Sequence, residues 1–300
     1  LAIWYCTISF IDDILIYNEM QNENTVKVHW PAFNSFISRN PYNNQKIPID
    51  LSFAVSVNQK RVIDNSDFYC ENKPKKIAVT GSYSQVPLDK FINENSVQDS
   101  RNFLKIPNGY SSYILYDPGY ILRGYLSPSE QMQTLELLFN YVQINEEIAL
   151  LIKPHPNYRS EEIEDLMSYY SLKNTYLIDK KMLPYHAINA ADFIITKISI
   201  IGFDSMYMGK PVISTIFDKE REFKVFENSA EYIYEYKSLI TLLDKLKEKD
   251  FKLKWTSDMN NRSKKLLEKL SESKSESPYD IASKEIHNSV LEKFDKNSID

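Results

Sequence analysis

The sequence predicts an α/β fold with parallel sheets, and three observations carry that expectation. Short apolar runs alternate with helical segments along most of the chain, the pattern of a parallel sheet covered by helices. Two strand-to-helix junctions, Lys153-Pro154-His155-Pro156 and Ser199-Ile200-Ile201-Gly202-Phe203-Asp204, place polar groups directly after such runs. Those are the carboxyl ends of strands, where open α/β sheets bind ligands. With 300 residues, 43% of them apolar and 13% aromatic, the chain has enough material for one large core or two modest ones.

In the first third, 2–7, 14–17, 26–30, 51–57 and 76–80 read as strands, separated by Asn-rich and Pro-containing loops at 39–48 and 64–74. Together 1–92 form a partial amino-terminal Rossmann-like domain, followed by a linker over 93–110. A second domain spans 111–270. Its first strand, 113–116, stops at Asp117-Pro118-Gly119, and Ser127-Pro128-Ser129-Glu130 then supplies a cap, a first-turn proline and an acid for a helix over 132–142. The unit repeats as strand 149–153, helix 161–170, strand 175–178, helix 184–189, strand 193–196, helix 199–208 and strand 212–216. Five strands in one right-handed series make a Rossmann-like domain. Helix 239–249 and a basic segment over 252–269 come next. The segment 271–300 holds a Ser-rich break and a closing amphipathic helix over 279–294.

Composition excludes several classes of function. A net charge of -5 gives no pull toward nucleic acid, and the Lys-rich carboxyl third reads as solvated helix faces. Two cysteines, Cys6 and Cys70, far from any CxxC spacing, fit a reduced cytoplasmic chain. No apolar run reaches the about 18 to 20 residues that a membrane span needs. The first residue is Leu with no signal-peptide pattern, so the expectation is a first domain truncated at its amino end. There is no HExxH, paired CxxC or DxD, so no metal or cofactor is expected.

Both junctions suit an anion. The prolines flanking His155 keep its loop out of a helix and display the imidazole, which donates to a phosphate oxygen, with Lys153 adding charge; capping of a neighbouring carbonyl is the alternative. Ser199 caps the next helix, and the amides of Ile200, Ile201 and Gly202 at its positive end form an anion site. Asp204, one turn further, can bond a vicinal diol such as ribose, or be the acid of an ordinary capped helix. In the loop from Gly119 to Arg123, glycine allows close backbone approach and arginine bidentate contact with a diphosphate; a plain turn reads equally well.

The string KPHP, and SIIGFDSMYMGKPVIS after Asp192-Phe193-Ile194-Ile195-Thr196, resemble the nucleotide-binding domain of GT-B glycosyltransferases of bacterial surface carbohydrate synthesis. Lys76-Ile77-Ala78-Val79-Thr80-Gly81-Ser82 is similar to the stretch joining the two domains of that fold, so the resemblance covers 76–215. It implies a GT-B-like architecture, donor-phosphate contacts from His155 and Ser199, and a ribose contact from Asp204. The tandem serine of bacterial sialyltransferases is Ser199-Ile200 here, and their usual Glu is Asp204. CDP-glycerol-dependent polyol-phosphate transferases share a KPHP-like string and an Asp at the 204-like position, with TDYSS where this chain has Thr196-Lys197-Ile198-Ser199-Ile200. The Gly-Gly of nucleotide-sugar 2-epimerases is absent.

In such enzymes an inverting base comes from the amino-terminal domain, and the candidates are Asp12, Asp13, Glu19 and His29. Glu19, after the strand over 14–17, is the first choice; a solvated loop acid is the plain reading. His186 and His287 read as helix-surface histidines. The function expected is metal-independent transfer from a CMP- or UDP-linked nucleotide-sugar donor to a glycan or lipid-linked glycan, in the cytoplasm, with peripheral contact at the inner membrane. A CDP-glycerol-type polyol-phosphate transferase and a non-catalytic nucleotide-binding module are the alternatives.

Overall fold

A computed structural model describes residues 2–6, 25–29, 50–54, 60–61, 74–80, 85–119, 128–156, 158, 160–197, 199–217, 224, 226–270 and 277–297. Contacts divide the chain into one unit of 1–86 with 268–300 and a second of 87–267.

The first unit holds four parallel strands in sequential order: β1 (Ala2–Cys6), β2 (Thr25–His29), β3 (Leu51–Ala54) and β4 (Lys76–Val79). Val26, Val28, Leu51, Phe53 and Ala78 form its apolar face. Against it lies the closing helix Pro278–Asn297, which presents Ala282, Ile286 and Val290 at helical spacing. Ion pairs Lys76 to Glu285 (2.7 Å) and Lys293 to Asp50 (3.3 Å) tie the helix to strand ends. The strand read over 14–17 lies outside the described residues.

The second unit is a six-stranded parallel sheet of β5 (Ser112–Tyr116), β6 (Ile148–Ile152), β7 (Thr175–Leu177), β8 (Phe193–Thr196), β9 (Val212–Thr215) and β10 (Glu231–Ile233), in the order β10-β9-β8-β5-β6-β7. The near-continuous apolar runs of β5, β6 and β8 follow from burial on both faces. Ile114, Tyr116, Leu150, Ile152, Phe193 and Ile195 face one core, closed by Leu135, Phe139, Ile163, Leu243 and Trp255 from the covering helices. Tyr113, Leu115, Ala149, Leu151 and Ile194 face the other, with Ala187, Ile188 and Ala190.

Two features differ from the sequence reading. Strand β10 was not anticipated, because three residues with an exposed-edge pattern carry little periodicity. Residues 93–110, read as a linker, contain the helix Val97–Phe103, started by a reciprocal capping box between Ser96 and Asp99. That helix is built into the second unit: the Asn189 amide donates to the carbonyls of Asn95 and Ser96 and to the Ser100 hydroxyl.

Candidate functional site

From β5 the chain steps outward to β6 and β7, then returns to the other side of β5 for β8, β9 and β10. The order reverses between β5 and β8, and a crevice at the carboxyl ends of the strands flanking such a reversal is where open α/β sheets take ligands. Three loops leave the sheet there: Asp117-Pro118-Gly119 after β5, Lys153-Pro154-His155 after β6, and Thr196 to Ser199 after β8. Both junctions singled out in the sequence thus rise from this edge, one strand to either side of β5.

Asp117 is the hub of these loops. It is 3% exposed, its amide donates to the Ile195 carbonyl of β8 (3.0 Å), and its carboxylate accepts from the Gly119 amide (3.0 Å) and the Thr196 hydroxyl (3.0 Å). Burial is the largest influence and holds its pKa above the usual carboxylate value, against the opposing pull of the neighbouring donors and of His155. Gly119 adopts φ +72°, a left-handed turn that lets its amide point back at Asp117.

His155 is half-buried, and its carbonyl accepts from the Tyr158 amide (2.8 Å), which folds the loop back after Pro156. Burial lowers the pKa of the imidazole, Asp117 raises it and Lys153 lowers it. Lys153, expected to lend charge to a phosphate, is 3% exposed and donates to the carbonyls of Pro154 and Lys180, both at 3.0 Å. Its ammonium therefore braces the loop bearing His155, and burial lowers its pKa.

Ser199 caps the helix Ile200–Tyr207, its hydroxyl accepting from the Ile201 amide at 3.3 Å. The expectation that the amides of Ile200, Ile201 and Gly202 all stay open does not hold. Ile201 is engaged by the cap, and the Gly202 amide donates to the Ser199 carbonyl at 3.1 Å, in the tight first turn common at helix starts. Gly202 has a packing reason as well: a Cβ there would lie 2.4 Å from the fully buried Phe226 ring. Ile200 is exposed at the helix start, whereas Asp204 is buried one turn in, at 4% exposure.

A further pair was not read from the sequence. Lys197, directly after β8, bonds both carboxylate oxygens of Glu130 at 2.9 and 2.7 Å, with side chains 3% and 7% exposed. Glu130 also accepts from the Phe217 amide (3.1 Å), and the Lys197 carbonyl accepts from the Ser214 hydroxyl (3.0 Å). The helix from Pro128 and the ends of β8 and β9 are locked together beneath the site. The only advance signal was position, since Lys197 follows an apolar strand and Glu130 opens a helix.

Glu19, Asp12, Asp13 and Arg123 lie outside the described residues. His29 is the last residue of β2, in the first unit. His186 stacks on Phe103 with ring centroids 4.0 Å apart and bonds the Ser100 hydroxyl at 3.2 Å, a packing role. A larger hollow, about 790 Å³, opens at the opposite, amino edge of the sheet beside Asp192, Lys210, Lys249 and Lys252. Its Lys252 is paired with Asp192 (2.6 Å) and its Lys210 donates to the carbonyls of Asn189 and Ala191. The carboxyl edge, where the loops after β5, β6 and β8 rise at the reversal of strand order, is the better-founded site despite its smaller void. Among the described residues no helix is long and apolar enough to cross a membrane.

Residues 73–252 match the family described as CDP-Glycerol:Poly(glycerophosphate) glycerophosphotransferase. Among solved structures, a His-to-Ala variant of the wall teichoic acid polymerase TagF is similar at a TM-score of 0.65 and 14% identity, over 98% of this chain and 74% of that one. A His-to-Asn variant of TagF soaked with CDPG is similar at 0.56 and 16%, over 82% of this chain and 57% of that one. Likeness at this identity shows a shared fold, the GT-B-like α/β architecture. This chain spans 57 to 74% of the length of those two structures. No curated protein matches.

Proposed function

The chain belongs to the CDP-Glycerol:Poly(glycerophosphate) glycerophosphotransferase family, and from that premise we propose that it moves a polyol-phosphate unit from a CDP-linked donor onto a growing surface polymer. One observation carries the reading: the family match over 73–252 takes in Asp117, His155, Thr196, Ser199 and Asp204, the whole group gathered at the reversal of the sheet. The family favours the polyol-phosphate donor over the nucleotide sugar that the GT-B resemblance first suggested. The transfer is then a phosphoryl transfer. An acceptor hydroxyl oxygen bonds the phosphorus that carries the polyol, the bond from that phosphorus to the CMP oxygen breaks, and the hydroxyl proton passes to a base.

Such a reaction rests on positioning and on stabilising charge as the leaving phosphate separates. His155 is assigned to donate to a phosphate oxygen of the donor. Ser199 and the exposed start of its helix supply further dipoles, Gly119 allows close backbone approach, and Asp204 is assigned to the ribose. Lys153 acts through the loop it braces. The base is assigned to the first unit, with Glu19 the first candidate and His29 the second; Arg123 is a further candidate diphosphate contact. The acceptor is a polymer of the same class or a lipid-linked glycan, met at the cytoplasmic face of the membrane.

A panel of CMP, CDP, UDP and GDP in thermal-shift titrations, followed by transfer assays with the matching CDP-polyol and sugar-linked donors, tests the reading. Stabilisation by CDP and turnover of a CDP-polyol are expected. Selective binding of UDP with turnover of a UDP-sugar would return the nucleotide-sugar reading, and binding without turnover of any donor would make the chain a nucleotide-binding module.

A further inference from the structure

We propose that Lys197 and Glu130 are a positioning pair of this site: together they fix the loop after β8, and with it the start of the helix Ile200–Tyr207, relative to the strand ends around it. Their part in the reaction rests on the donor-binding role proposed above for Ser199; the anchoring of the helix start does not.

The short loop from Thr196 to Ser199 is held from three directions. The Thr196 hydroxyl donates to the Asp117 carboxylate past the end of β5 at 3.0 Å. The Lys197 ammonium meets both carboxylate oxygens of Glu130, on the helix Pro128–Ile144, at 2.9 and 2.7 Å. The Lys197 carbonyl accepts from the Ser214 hydroxyl of β9 at 3.0 Å. Glu130 in turn accepts from the Phe217 amide, just past β9, at 3.1 Å, so one carboxylate joins a helix start, the end of β8 and the chain after β9. It lies in the first turn of its helix, whose positive end favours an acid. A small void borders both Asp117 and the pair, which puts the pair directly under the strand-end loops.

Stability alone gives little reason for such a pair. Side chains only 3% and 7% exposed have lost their water, and mutual attraction repays that loss only in part, so an apolar pair of similar volume would hold the elements together about as well. What an apolar pair lacks is direction. Two carboxylate oxygens facing one ammonium, with an amide on one of them, fix Lys197 in distance and angle, and that fixed point lies two residues before Ser199. The Ser199 cap and the helix start at Ile200 inherit the placement. Groups that receive a donor phosphate need it, because a productive site must be held to within about 0.5 Å.

The test is made in the full chain with Glu130→Leu and Lys197→Met combined, which removes both charges at similar volume. At a melting temperature near that of the wild type, CDP affinity is expected to fall about ten- to a hundredfold, and amide hydrogen exchange over 199–205 to quicken. A pair that only stabilises predicts wild-type affinity and exchange once stability is recovered, and that result would overturn the proposal. Faster exchange with CDP affinity unchanged would overturn the positioning role and leave only the anchor. Should the double variant not fold, Glu130→Asp takes its place: a carboxylate one methylene shorter keeps its charge but cannot meet the Lys197 ammonium and the Phe217 amide at their present distances. Weaker CDP binding with faster exchange is expected there too, and wild-type values for both would sink the proposal equally. If the wild type itself binds no CDP, the donor-site reading fails, and exchange over 199–205 alone decides the anchor.

Discussion

Asp192 and Asp117 stand at opposite edges of the six-stranded sheet, both next to β5 or β8, and they are satisfied by different means. At the amino edge, Asp192 takes the Lys252 ammonium at 2.6 Å, the Arg101 guanidinium at 3.6 Å, the Ser112 hydroxyl at 3.1 Å and the Tyr113 amide at 3.1 Å. At the carboxyl edge, the Asp117 carboxylate takes, among the described residues, the Gly119 amide and the Thr196 hydroxyl, both neutral donors at 3.0 Å. The first arrangement pairs a carboxylate with cations; the second holds one with neutral donors. The comparison teaches that the amino edge is built around ion pairs, and the carboxyl edge, from which both junctions singled out in the sequence rise, around neutral hydrogen bonds. Lysines divide the same way only in part, since Lys210 at one edge and Lys153 at the other both brace backbone carbonyls.

The largest expected effect lies beneath the carboxyl edge. Glu130→Gln leaves the Lys197 ammonium buried without its partner charge and should cost about 3–5 kcal/mol, measured by denaturant unfolding. Replacing both residues by apolar ones of similar volume should recover much of that loss, because the pair's desolvation is then avoided. A loss under about 1 kcal/mol for E130Q would mean that the pair is solvated and the edge looser than described.

His155→Ala should separate function from stability. A charge-assisted bond to phosphate contributes about 1.5–3 kcal/mol, which predicts on the order of a ten- to hundredfold loss in CDP affinity or turnover with little change in melting temperature. Full activity with a much lower melting temperature would make the histidine structural and remove the distinction between the edges. Ser199→Ala should cost less, because backbone donors at the helix start survive it.

At the amino edge the effects are those of a scaffold. Burial lowers the pKa of Lys210 from 10.5 to about 8. Between those values the unfolded chain carries a proton that the folded chain has released, so stability rises with pH across about 8 to 10.5. Below about 8 both states are charged and the cost of burial is present in full. The stability of the wild type relative to Lys210→Met should therefore climb by up to about 1.4 kcal/mol per pH unit in that window, checked by unfolding at pH 7.5 to 10. A flat difference would show that the ammonium is well solvated. Smallest of all, Lys252→Met removes a part-exposed ion pair and should cost about 0.2–1 kcal/mol with turnover unchanged; a large loss of turnover would move functional weight to this edge.

Much of the second unit was legible in the sequence because its signals are local. The apolar runs at 148–152 and 193–196 mark strands buried on both faces, and Ser199 followed by an apolar helix marks a capped start. The two junctions were read correctly as strand ends on one edge. The helix Val97–Phe103 was legible too, in the spacing of Ser96 and Asp99, and was overlooked inside a supposed linker. Gly202 was read for its amide, whereas its packing against Phe226, 24 residues away, was beyond any local pattern.

By itself the sequence determined the parallel α/β character of the chain, the placing of polar groups after strands, and the capped helix start at Ser199, since each depends on neighbours within a few residues. Only the tertiary structure decided the strand order and, through it, which residues meet. Asp117 looked like a strand terminator until β8 and β6 were set on either side of β5, bringing Thr196 to it across 79 residues. Lys153 looked like a ligand until burial turned its ammonium onto Pro154 and Lys180. The physical reason is common to both: a hydrogen bond or a charge acts over a few ångströms in space, and where the chain returns to within that distance is set by packing of the whole sheet, not by the residues on either side.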